Sequence, residues 1–178
     1  MNMKRFKDKP AYAAMNGFTT IELLVVVAIV VILIAMASLY MRRMLVKARV
    51  EQQAQQIYSD LVSARSRAMN RNRIQFVQIN LGNSQYQIWD DTFPAPDGDG
   101  ILTPGNDTLV TSTITLDQLW VNPAGFTQFQ FANNGVISGT GVIGLTNTYE
   151  AVFDCISVSP TRIRLGRWDG IANCTQLL

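Results

Sequence analysis

Gly17-Phe18-Thr19-Thr20-Ile21-Glu22 runs without a break into LLVVVAIVVILIAMASLY, residues 23–40, and the rest of the chain is read outward from this stretch. Leu23 to Leu39 carry no charge, close to the roughly 20 apolar residues that a membrane-crossing helix needs. Glu22 directly precedes that run, so a carboxylate stands at the hydrocarbon boundary, where acids are costly and tend to mark function. Lys4, Arg5, Lys7 and Lys9 precede the run, and Arg42, Arg43, Lys47 and Arg49 follow it. Charge alone therefore leaves the orientation of a span open. An ordinary signal peptide would be cut after its apolar stretch, but that position reads MASLYMRRM, a poor small-x-small site flanked by charge.

No proline occurs between Pro10 and Pro94 and no glycine between Gly17 and Gly82, so nothing interrupts a helix that begins near Phe18 and runs to about Asn70. Some fifty residues give a rod of roughly 80 Å, far beyond a hydrocarbon core of about 30 Å, so the second half must leave the membrane. In that half Val50, Ala54, Ile57, Leu61, Ala64 and Ala68 recur at alternating steps of four and three. They form one apolar stripe on a helix whose other faces carry Gln, Arg and Glu, and the stripe predicts packing against a sheet with the alanines permitting close approach. Under three heptads with so many alanines make a free coiled coil the weaker alternative.

After Arg73 the composition turns to short β-rich runs separated by Gly and Asn. Val77, Ile79 and Leu81 alternate with Gln78 and Asn80, and Gly82-Asn83 turns the chain into QYQIW as a hairpin. TLVTSTI, DQLWV, TQFQF, TYEAVF, CISVS and TRIRL are the later candidate strands. A long helix followed by strands is an α+β layout, with the helix covering one face of an antiparallel sheet domain.

Seventeen residues ending in Gly, then Phe, two threonines, an aliphatic residue, Glu and a long apolar run resemble the class III signal of type IV prepilins and type II secretion pseudopilins. The resemblance implies cleavage between Gly17 and Phe18 by a prepilin peptidase, N-methylation of the new Phe18 amine, and a role for Glu22 in assembly through pairing with the amine of a neighbouring subunit. Paired charges escape much of the desolvation cost that an isolated one suffers. The division implied is a leader at 1–17, a membrane-spanning and polymerisation helix at 18–40, the amphipathic half of the same helix at 41–73, and a β-rich periplasmic domain at 74–178. Within that class, Phe131 to Gly135 and the late Gly166-Arg167 resemble the domain of H-type minor pseudopilins and FimT-type minor pilins. The partners implied are the peptidase, other pilins or pseudopilins, an inner-membrane assembly platform and membrane lipid. The expected location is the bacterial inner membrane, single-pass with the C-terminal domain in the periplasm, and the filament tip or surface after assembly. Major pilins of this kind often carry a helix-kinking proline near the outer end of the span, and Leu39 and Tyr40 stand in that region here.

Removing the leader takes away four basic residues and one acid, leaving a nearly neutral product with eleven basic and twelve acidic side chains. Bulk charge therefore gives no argument for nucleic-acid binding, and any such contact must come from a local cluster. The chain has no histidine and two cysteines, which removes the commonest general base and any four-thiolate zinc site and argues against an enzyme. In a domain outside the cytoplasm Cys155 and Cys174 would form a disulfide, worth about 3 kcal/mol in the chain-entropy view, with two buried thiols as the alternative.

Asp97-Gly98-Asp99-Gly100 with Asn106-Asp107 resembles part of a calcium loop, in which Asp97, Asp99 and Asp107 would supply oxygens. Ala95 and Asn106 occupy the first and twelfth places of that pattern, so two of its ligands are missing and a polar loop built on Asp-Gly turns is the favoured reading, with no other cofactor expected. Arg162, Arg164 and Arg167 with Trp168 form a strip that could contact DNA phosphates and stack on a base. The same charges also suit an edge strand guarded against aggregation. Arg65, Arg67, Arg71 and Arg73 near the helix end are expected from the macrodipole. The resulting expectation is a non-enzymatic filament subunit, with DNA capture as its alternative role.

Overall fold

The computed structural model describes residues 17–96, 98–116, 119–122, 126–146, 151–169 and 173–176. Among these described residues one helix, α1 (Thr20–Arg71), precedes ten strands: β1 (Gln75–Asn80), β2 (Gln85–Asp90), β3 (Thr108–Thr115), β4 (Leu119–Asn122), β5 (Gln128–Phe131), β6 (Ile137–Ser138), β7 (Gly141–Leu145), β8 (Cys155–Val158), β9 (Ile163–Trp168) and β10 (Cys174–Gln176). The chain divides into two compact units, Met1–Met41 and Arg42–Leu178.

Within the first unit, α1 is long and apolar enough to cross a membrane, and its aliphatic side chains are bare on every side. The expected leader, apart from Gly17, lies outside the described residues.

In the second unit the stripe foreseen from the spacing is the buried face of α1: Val50, Ala54, Ile57, Leu61, Ala64 and Ala68 are all in the core. The helix stops where a left-handed residue can stop it. Asn72 has φ 52°, and the Arg73 N–H donates to the Ala68 carbonyl at 3.1 Å, which is the longer bond of a Schellman cap.

The strands form two five-stranded sheets, with orders β3-β2-β1-β5-β6 and β10-β9-β8-β7-β4. Every paired neighbour is antiparallel. One core joins the helix stripe to Val77, Ile79, Tyr86 and Ile88 of the first sheet and to Ile143, Ile156, Val158 and Leu165 of the second. The β1–β2 hairpin forms as expected, with Gln78 opposite Gln87. Leu81, however, leaves the strand and sits in the turn, 38% exposed, where the Ser84 N–H bonds its carbonyl.

In TYEAVF the first three residues lie outside the described residues, and Ala151 to Phe153 are irregular. GVIGL, which is not among the candidate strands, forms β7, an interior strand of the second sheet. A sheet interior needs residues that fit between two neighbours, and Ile143 and Leu145 supply the buried side chains there.

Both glycines that stood out in the sequence have a packing reason. Gly135 has φ 77° in the turn between β5 and β6, and a Cβ there would meet the Met69 sulfur on α1 at 2.6 Å. Gly166 stands opposite Cys155 in the β8–β9 ladder, and its Cβ would meet Cys174 Sγ at 2.7 Å and the Thr175 carbonyl oxygen at 2.4 Å. The absent side chain leaves room for a disulfide to cross from β8 to β10 over β9.

Candidate functional site

The start of α1 is built by three consecutive choices of residue. Thr19 caps the helix: its Oγ1 accepts the Glu22 N–H at 3.3 Å and its carbonyl accepts the Leu23 N–H at 3.1 Å. Glu22 falls three residues after the cap, in the first turn, where a carboxylate faces the positive end of the helix dipole. Thr-x-x-Glu is the capping-box signature, a signal in the sequence that the membrane reading alone overlooks. Phe18, 81% exposed, stands just before the cap, and apolar residues from Leu23 onward are bare. A stabilised helix start, a carboxylate and an unburied apolar surface are thus adjacent along the chain.

Cys155 and Cys174 form the expected disulfide, with Cα atoms 5.9 Å apart, a separation suited to the bond. Cys155 is buried. Asp154 beside it takes the Trp168 N–H at 2.6 Å and receives the Leu145 N–H on its carbonyl. Successive strands of the second sheet are therefore tied together around the bond.

The basic residues at the end of α1 divide by partner. Arg71 donates to Asp90 Oδ2 at 2.9 Å, and Asp90 Oδ1 takes the Gln75 amide at 2.6 Å. Arg73 donates to the Pro96 carbonyl at 2.6 Å, and Arg65 reaches across to the Thr161 carbonyl at 3.0 Å. Higher on the helix, Tyr86 donates its hydroxyl to Asp60 Oδ2 at 2.6 Å. Burial first, and then that carboxylate, push the phenol far above its usual range, so it stays protonated.

The acids of the 91–107 loop act mainly on the loop's own backbone. Asp107 accepts the Thr92 and Phe93 N–H groups on Oδ1, both at 3.0 Å, and the Thr103 N–H on Oδ2 at 2.7 Å. Asp99 Oδ1 accepts the Ile101 N–H at 2.9 Å. Asp97 lies outside the described residues, and among the described residues no three acids gather as a metal site. Asp91 is buried. Its Oδ2 takes the Gly100 N–H at 2.8 Å, while Oδ1 is without a partner and lies where a Gly98 Cβ would be. Burial raises its pKa, and the Gly100 N–H pulls it partly back.

The arginine strip does not stay together. Arg162 closes a turn with Ser159, and Arg164 and Arg167 both lie on β9. Three residues apart on one strand, Arg164 and Arg167 point to opposite faces. Arg162 and Arg164 instead border a groove beside α1 that includes Arg65.

A capped apolar helix of this length leading into antiparallel β-sheets is a pilin-like α+β fold. The chain belongs to the family described as Type II transport protein GspH, whose model matches residues 53–162. That is a family of structural filament subunits that assemble with other pilins or pseudopilins.

A crystal structure of the minor pseudopilin EpsH from the type II secretion system of Vibrio cholerae is similar at 13% identity with a TM-score of 0.51, covering 67% of this chain and 97% of that one. A second EpsH structure matches at 14% identity and TM-score 0.49, covering 67% of this chain and 97% of that one. The type IV minor pilin FimU of Pseudomonas aeruginosa matches at 16% and 0.47, covering 71% of this chain and 93% of that one. No curated protein matches the chain.

Proposed function

We propose that the chain is a minor subunit made as a prepilin, cut between Gly17 and Phe18 by a prepilin peptidase and N-methylated on Phe18. The 18–40 helix holds it in the inner membrane with its domain in the periplasm. An assembly platform then draws it into a type II secretion pseudopilus or a type IV pilus. The observation that carries this reading is Glu22 in the first turn of a capped helix, directly ahead of an apolar surface that its own chain leaves uncovered. A neighbouring subunit can cover that surface, and its N-terminal amine can neutralise the carboxylate.

Glu22→Ala is expected to leave cleavage intact and to remove the subunit from sheared filaments, whereas Thr19→Ala, which loses the cap but keeps the acid, should still assemble. Undiminished incorporation of Glu22→Ala would defeat the pairing. A deletion strain scored for exoprotein, surface pili and DNA uptake separates the two machines. Lost secretion with normal pili indicates a pseudopilin, and the reverse a minor pilin. DNA capture through Arg162, Arg164 and Arg167 is the competing role, and charge reversal at Arg164 and Arg167 that leaves DNA binding unchanged would retire it.

A further inference from the structure

Among the described residues the two sheets end in four edge strands, and three of these are short: β4 has four residues, β10 three and β6 two. β3 has eight and is the longest strand among them. Its sequence, TLVTSTIT, lacks the charges and prolines that usually keep an open edge from pairing. Two register shifts against β2 twist it, yet among the described residues no segment bonds its outer side. A row of unpaired N–H and C=O groups on a long uncharged strand is a template for one more strand.

The side chains of β3 select which strand fits. Val110 and Ile114 pack against the core and are only partly buried, whereas Leu109, 41% exposed, stands opposite Trp89 on the outer face. Thr115 is exposed on that outer face as well, where its Oγ1 accepts the Gln85 amide at 3.1 Å. Laid antiparallel on its own copy with Ser112 facing Ser112, β3 sets Val110 against Ile114 on the core side and Leu109 against Thr115 on the outer side. Both faces of the sheet then continue across the junction, and the aliphatic pair of each copy gains a neighbour. Thr111 and Thr113, beside the register shifts, bring only small uncharged groups to the middle.

We propose that β3 pairs with β3 of a second copy of this chain, joining two five-stranded sheets across a two-fold axis at Ser112. One added strand pair is small beside the roughly 1,200 Å² of a stable soluble interface, so the pairing belongs to copies held side by side in a membrane. To that extent it rests on 18–40 acting as the membrane span. What it adds is a surface for self-association that is separate from that helix.

The test uses the full chain in membranes, where fractionation first shows whether it is inserted. Ser112→Cys supplies a single free thiol, because the native cysteines are bonded to each other, and mild oxidation should join two copies through it. Thr108→Cys, which eight residues of strand would hold about 27 Å from its own copy, should give at least tenfold less dimer. Added to Ser112→Cys, the pair Leu109→Lys and Thr115→Lys sets like charges opposite each other and should lower the dimer about fivefold, whereas Leu109→Lys with Thr115→Glu should restore it. A benzophenone amino acid at position 112, with its adduct mapped by mass spectrometry, tells a second copy from any other protein. No dimer from an inserted chain, equal dimer from Thr108→Cys, equal yields from the two charge pairs, or an adduct on another protein alone overturns the pairing. A chain found outside the membrane overturns the span and the pairing with it.

Discussion

Leu33 and Leu61 sit on the same helix and have opposite fates: Leu33 is 60% exposed, and Leu61 is fully buried. Around Leu33 every face of α1 is apolar, and around Leu61 only one stripe is. A stripe finds its cover inside the chain, in the two sheets. A helix apolar all round finds none there and must take it from lipid or from other subunits. One half of α1 therefore answers to the fold, and the other is left to whatever surrounds the chain.

The sharpest way to break that contrast is to truncate both leucines. Leu61→Ala should cost the domain about 2–5 kcal/mol by opening a cavity, read as a lower urea midpoint, while Leu33→Ala leaves that midpoint where it was. Equal losses would mean that the first half is packed by its own domain after all. Next in size is the disulfide. Replacing Cys155 and Cys174 together by alanine should cost about 3 kcal/mol in the domain and nothing in helix insertion, measured by denaturation and by membrane fractionation.

Thr19→Ala comes third and acts only at the other end of the chain, where loss of a cap worth about 1 kcal/mol should raise amide exchange at Glu22 roughly fivefold. The smallest effect concerns Asp91. Burial raises its folded pKa above the unfolded value, so its contribution is full at low pH and is lost as pH rises through the folded pKa. Wild type should therefore gain on Asp91→Asn as pH falls from neutral, as followed by urea midpoints at several pH values, and a constant difference would contradict the shift.

The parts of this molecule that were readable in advance are those written in periodicity. Val50 to Ala68 announce a buried face because a helix repeats every 3.6 residues whatever it packs on, and Val77 and Ile79 announce a strand in the same way. What escaped depends on which strands lie side by side. Gly166 has meaning only once β9 lies between β8 and β10, and GVIGL is an interior strand only because β4 and β8 flank it. Arg164 and Arg167 look like one strip in a line of letters and separate once the strand pleats. Arg65, nearly a hundred residues from Thr161, joined Arg162 and Arg164 through tertiary contact alone. The capping box was legible at Thr19 and Glu22, but the membrane signal beside it is louder.

β10 is three residues long, and three backbone pairs to β9 are its ladder, so the bond from Cys174 to Cys155 carries much of its attachment. The redox state of the surroundings thereby becomes an ingredient of the fold. Where thiols stay reduced, β10 is expected to fray and to offer an end that proteases can grip, a difference that limited proteolysis with and without reductant would show. Where they oxidise, the same end is sealed.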